Sequence, residues 1–232
     1  MTDGPEIEIY DDTHEASAAA AMAIADWLAA GLAENDRASF IATGGTSPGE
    51  VYDLLSTIPL PWENISVSLS DERWVAPTSP DSNERQLRER LLVGEAAGAN
   101  LVPLWSSAPG VEDAAEAAEV AVADLLPADV VLLGMGEDGH FASLFPGNPM
   151  LEEGLDPYGG SLVIAVPNGD PAPPQDRLSL TLYALKQSFL IVVLISGAAK
   201  RRIVEERDDL PIHALFRATA STETLVRVIW SP

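Results

Sequence analysis

The 232-residue chain contains no cysteine, which excludes a disulfide framework, a thiol nucleophile and a thiolate zinc site. Histidine is nearly as scarce. Three copies, His14, His140 and His213, lie too far apart in sequence to suggest a His-rich metal site, and no bound metal is expected. Basic residues are few as well: 13 lysines and arginines face 36 aspartates and glutamates, a net charge of -23 that repels the phosphates of nucleic acid and the face of an anionic membrane. Neither is an expected partner. Long apolar runs are also missing. The strand-like run 189–195 is far too short to span a bilayer, and the first twelve residues carry acids but no basic leader, so a cytoplasmic protein is expected.

Apolar residues make up 47% of the chain, enough for one sizeable core, and the expectation is a single domain over 1–232. Period-2 and continuous apolar runs predict strands at 6–10, 38–42, 65–70, 130–133, 162–166, 177–182, 189–195 and 225–229, with a weak one at 101–104. Helical spacing predicts helices at 14–35, 48–55, 82–92, 111–125, 200–207 and 212–217. Strands alternating with helices predict an α/β fold: a three-layer α/β/α sandwich around a mainly parallel, Rossmann-like sheet.

The densest chemical signal is GMGEDGHFASLFPG at 134–147, directly after the apolar strand. Glycines at 134, 136 and 139 permit crowded or left-handed backbone, and in open α/β sheets ligands bind beyond strand ends of this kind. His140 therefore stands where substrates bind, with Asp138 near enough to orient it, and an imidazole can take a proton from water near neutral pH. No Gly-x-Ser-x-Gly elbow accompanies it, so activation of water is simpler than covalent catalysis. His14 and His213 read as structural.

Three other strand ends carry suggestive residues. ATGGTSPGEVYDLL offers Gly44, Gly45 and Thr46 as an anion cradle ahead of a helix. SLSDERWV delivers Asp71, Glu72 and Arg73 together, and a lone arginine in so acidic a chain suits a phosphate or carboxylate. ISGAAKR places Lys200, one of only two lysines, in a first helical turn, where it opposes the helix dipole unless an anion is bound. Arg85, Arg88 and Arg90, on a charged helix, read as partners of nearby carboxylates.

Taken together, ATGGTSP (42–48), SDERWV (70–75) with DSN (81–83), GMGEDGHFASLFPG (134–147), RLSLTL (177–182) and SGAAK (196–200) resemble the 6-phosphogluconolactonases, whose fold is shared with the glucosamine-6-phosphate deaminases. The resemblance implies a deaminase-like fold and hydrolysis of a sugar-phosphate lactone without a cofactor; a monomer is expected. It implies His140 as the base acting on water, with Asp138 and Asp71 beside it. Arg73 and Lys200 would hold the 6-phosphate or the developing oxyanion, and Gly44, Gly45, Thr46 and Arg177 would complete the phosphate or sugar site. The ASLFPG ending favours the lactonase over the deaminase. Phe141 departs from the threonine common in the family, and 148–176 is the least family-like stretch. Deamination of glucosamine 6-phosphate and non-catalytic binding of a sugar phosphate remain the alternative readings.

Overall fold

The computed structural model describes residues 5–168, 174–206 and 209–232. In chain order the elements are β1 (Ile7–Ile9), α1 (Thr13–Asn35), β2 (Ala38–Ala42), α2 (Gly49–Leu55), β3 (Ile65–Leu69), β4 (Asp71–Arg73), α3 (Asn83–Arg90), β5 (Asn100–Leu101) and α4 (Val111–Ala123). They continue with β6 (Ala128–Leu133), α5 (Leu151–Gly154), β7 (Val163–Val166), β8 (Arg177–Leu180), α6 (Leu182–Leu185), β9 (Ser188–Ser196), α7 (Ala198–Glu206), α8 (Pro211–Thr219) and β10 (Leu225–Ser231).

Seven strands form one parallel sheet in the order β1-β10-β9-β6-β2-β3-β5, which is the mainly parallel α/β architecture expected. Its central strands are mostly apolar because they are covered on both faces: every residue of β2 and β6 is buried, and their polar members Ser39 and Asp129 bond each other. The helix α1 lies against β2, β6, β9 and β10 and meets α2, burying Ala16, Ala20, Ile24 and Leu28 along one side. Asp12 caps its first turn by accepting from the Glu15 N–H at 2.8 Å, and Asp36, at φ 57°, ends it in the left-handed conformation.

Contrary to the expectation drawn from run length, α1 is long and apolar enough to cross a membrane by length and composition alone. Alanine rather than leucine supplies that apolarity. Half of the segment is buried inside the fold, as in the core helix of a globular domain.

A second sheet was not foreseen. Strands β4, β8 and β7 pair antiparallel in that order, with α4 packed against β7 and β8. The strand predicted at 177–182 stops at Leu180, because Thr181 leaves the ladder and its hydroxyl accepts from the Ala184 N–H at 3.1 Å to cap α6. The weak strand at 101–104 is reduced to Asn100–Leu101. The last residue of the helix expected at 200–207 lies outside the described residues.

Candidate active site

At the carboxyl end of β6 the chain turns sharply. The Gly136 N–H donates to the His140 carbonyl at 2.9 Å, and the Gly139 N–H donates to the Gly136 carbonyl at 3.1 Å, closing a compact loop. A Cβ on Gly136 would sit 2.2 Å from the His140 ring, so only glycine fits there. The Ile212 N–H donates to the Gly139 carbonyl at 3.0 Å, tying the loop to α8. Asp138 Oδ1 accepts from the His140 N–H at 3.1 Å and meets its Nδ1 at 2.5 Å. The other side of the imidazole rests on Phe145, with ring centroids 4.4 Å apart. Nδ1 is thereby committed to Asp138, which leaves Nε2 as the nitrogen able to take a proton. Phe141, at the position where the family commonly carries threonine, is fully buried in the core.

A second wall comes from the antiparallel sheet. In β4 successive side chains alternate sides, so Asp71 and Arg73 face one way and Glu72 the other. Register sets Asp71 opposite Ser179 and Arg73 opposite Arg177. Two arginines directly across a strand pair repel each other in the absence of an anion. Arg177 is 5% exposed, with its guanidinium 5.1 Å from the Phe145 ring centroid, and burial lowers its pKa from the ordinary arginine value. Asp71 is held as well: its Oδ2 accepts from Ser143 Oγ at 2.6 Å, while Oδ1 and Ser70 Oγ stand 3.3 Å apart.

The Gly44–Gly45 turn forms a third wall. Tyr52 locks its entry, accepting from the Thr43 N–H at 3.0 Å and donating to the Thr43 carbonyl at 2.5 Å. Full burial raises the Tyr52 pKa, so the phenol stays protonated. Gly45 takes φ 95°, open to glycine but strained for other residues. The following helix begins at Gly49, one residue later than the sequence suggests.

These walls enclose a cavity of 260 Å³ whose lining includes Gly44, Gly45, Thr46, Asp71, Arg73, His140, Arg177 and Lys200. Every residue singled out from sequence as a site candidate thus lines one pocket, except Asp138, which reaches it through the His140 ring. Lys200 projects from the first turn of α7, as expected, just after Gly197 at φ 86°. The arginines read as surface partners are that: Arg85 pairs with Glu89 at 2.7 Å, Arg88 with Glu84 at 2.8 Å, and Arg90 with Asp53. His14 meets Glu50 at 2.7 Å, and His213 is buried edge-on to Phe216.

Two residues near the pocket were given no role by the sequence reading. Asn83 lines the cavity. Glu72, fully buried behind β4, accepts from the N–H groups of Arg73, Asn83 and Glu84 at 2.8, 2.7 and 2.7 Å and from Ser82 Oγ at 3.0 Å. Desolvation pushes its carboxyl up to about 7, against four hydrogen bonds that favour the charged form. The clue to Glu72 in the sequence is its place between two charges on a short strand, where alternation must turn one of the three inward.

Fold and pocket together define an α/β enzyme with an imidazole–carboxylate pair facing a cluster of cations. The chain belongs to the family described as glucosamine-6-phosphate isomerases/6-phosphogluconolactonase, whose model matches residues 11–225. It is 44% identical over 228 residues to the 6-phosphogluconolactonase of Caulobacter vibrioides, covering 97% of each chain. With the 6-phosphogluconolactonase of Pseudomonas aeruginosa it shares 37% identity over 222 residues, or 93% of this chain and 92% of that one. Among solved structures, a 6-phosphogluconolactonase from Shewanella baltica superposes with a TM-score of 0.90 at 30% identity over the whole of both chains. A monomeric glucosamine-6-phosphate deaminase shares the fold, with a TM-score of 0.78 at 21% identity over 97% of each chain.

Proposed function

We propose that this chain hydrolyses 6-phosphoglucono-1,5-lactone to 6-phosphogluconate, a step of the oxidative pentose phosphate pathway. The observation that carries the reading is the pairing of Arg73 with Arg177 across β4 and β8, with His140 and Lys200 lining the same cavity. Such a site combines a base for water with concentrated positive charge for a phosphate dianion.

In this reading His140 Nε2 takes a proton from water, and the oxygen adds to the lactone carbonyl carbon. The carbonyl electrons move to oxygen, giving a tetrahedral oxyanion that nearby N–H groups or a cationic side chain stabilise. Collapse breaks the bond from that carbon to the ring oxygen, which leaves with the proton carried by the imidazolium. Asp138 keeps the ring oriented and supports the transient positive charge. Arg73, Arg177 and Lys200, with Gly44, Gly45 and Thr46, hold the 6-phosphate or the oxyanion, and Asp71 braces the base side of the pocket. Hydrolysis of an activated ester by water requires no redox group or nucleotide, so the reading includes no cofactor.

The reading includes a monomer working as a single cytoplasmic domain. The test is an assay on freshly prepared lactone with the wild type and His140→Ala. Rapid acid release by the wild type, lost in the variant, is expected. Ammonia release from glucosamine 6-phosphate, or phosphosugar binding without turnover, would overturn the reading.

A further inference from the structure

Arg73 is anchored through neutral oxygens. Its Nη1 donates to the Asp81 carbonyl at 2.9 Å and to Asn83 Oδ1 at 2.6 Å, which uses both Nη1 protons. Other arginines are treated differently: Arg85, Arg88, Arg201 and Arg227 each meet a carboxylate at 2.5–2.8 Å, and Arg90 meets Asp53. A carboxylate partner cancels much of the charge that a guanidinium presents to a third group. An amide or carbonyl dipole orients the guanidinium and leaves its unit charge in place.

Asn83 is 2% exposed and opens α3. Its amide orientation is set from both ends, since Nδ2 donates to the Asp71 carbonyl at 2.9 Å while Oδ1 accepts from Arg73. Oδ1 also lies 2.0 Å from where a Cβ on Gly44 would stand, so the side chain packs directly against the glycine turn. Three residues on, on the same helix face, Gln86 Nε2 donates to the Gly45 carbonyl at 2.6 Å.

We propose that Asn83 is a positioning residue for the anion pocket: one neutral amide aims Arg73 without discharging it and sets the Gly44 turn against the guanidinium. The kinetic part of this inference rests on the lactonase reading, whereas the anion-binding part does not.

The experiment is an NMR titration of the purified protein with inorganic phosphate for the wild type, Asn83→Ala, Asn83→Asp, Arg73→Ala and the Asn83→Ala/Arg73→Ala double variant. Thermal melting checks folding. Asn83→Ala is expected to weaken phosphate about tenfold, or ~1.4 kcal/mol. Asn83→Asp keeps the shape but offers Arg73 a carboxylate, and is expected to weaken phosphate more than Asn83→Ala does. A purely structural role predicts instead that the losses persist undiminished in the Arg73→Ala background. In the Arg73→Ala background, loss of Asn83 should add less than about twofold. With the phosphorylated lactone, the losses should fall on KM rather than kcat.

Wild-type affinity in Asn83→Asp, or additive losses in the double variant, would overturn the inference. Should Asn83→Ala not fold, the comparison of Asn83→Asp with wild type decides alone. A wild type that binds phosphate but opens no lactone would defeat the proposed function and leave the role of Asn83 standing.

Discussion

The two sheets contribute to the pocket in different ways. The central strands β2 and β6 of the seven-stranded parallel sheet are covered on both faces, so they present no side chains to the pocket and act only through the loops at their carboxyl ends, the His140 loop after β6 and the glycine turn after β2. The three-stranded antiparallel sheet works from its face: Asp71 and Arg73 on β4 and Arg177 on β8 line the cavity directly from strand positions. Glycine-rich loops suit the placing of backbone N–H groups and a base close to the reacting carbon. A strand face holds long cations at a fixed spacing of one residue pair, which suits a charged group away from the chemistry.

That contrast is open to direct attack. The largest effect is expected from His140→Ala, which should lower kcat by roughly a hundred to ten-thousandfold on phosphorylated and unphosphorylated lactone alike. A loss confined to one substrate would place His140 in binding instead. Asp138→Asn should cost less than the ~10⁴-fold lost when the buried acid of a Ser-His-Asp triad is changed. Asp138 is half exposed, and a fall of about tenfold to a hundredfold in kcat, again on both substrates, is expected.

Arg177→Ala probes the strand face. It should lower kcat/KM by roughly tenfold to a hundredfold on the phosphorylated lactone, the worth of one or two charge-assisted hydrogen bonds, and far less on the unphosphorylated one. Equal losses on both would move Arg177 to the oxyanion and blur the division between the sheets.

The last effect concerns the back of β4 and is read in stability rather than in rate. Burial pushes Glu72 from its ordinary 4.5 up to about 7. The folded protein then keeps a proton that the unfolded chain releases, so Glu72 costs stability progressively as pH rises from about 4.5 to about 7, and no further above that. Denaturant unfolding of wild type against Glu72→Gln across this range should show the wild type losing ground by up to a few kcal/mol. A constant difference would mean that its four donors keep Glu72 ionised throughout, with β4 held by a charged cap on α3.

The central strands of the large sheet were legible because burial on both faces favours apolar runs, as at 130–133 in β6 and 189–195 in β9, and its helices because their buried stripes recur at helical spacing. The His140 loop was legible because its glycines and acids are contiguous. The strand β4 was not. Asp71, Glu72 and Arg73 carry no apolar signal, and they form a strand only because β8, more than a hundred residues later, pairs with them. The membrane-length character of α1 escaped a reading by run length, since its unbroken apolar run, 18–25, covers only eight residues before Asp26 interrupts it.

By itself, the sequence determined the parallel α/β framework, the His140 loop, the glycine turn at 44–45 and the scarcity of cations, since each is written in local pattern or composition. Only the tertiary structure decided that Arg73 faces Arg177, that Glu72 turns away to cap α3, and that Asn83 holds Arg73 by a neutral amide. Those are facts of cross-strand register and of a helix start packed behind a strand. They depend on which distant segments meet, and no local pattern in the chain encodes such a meeting.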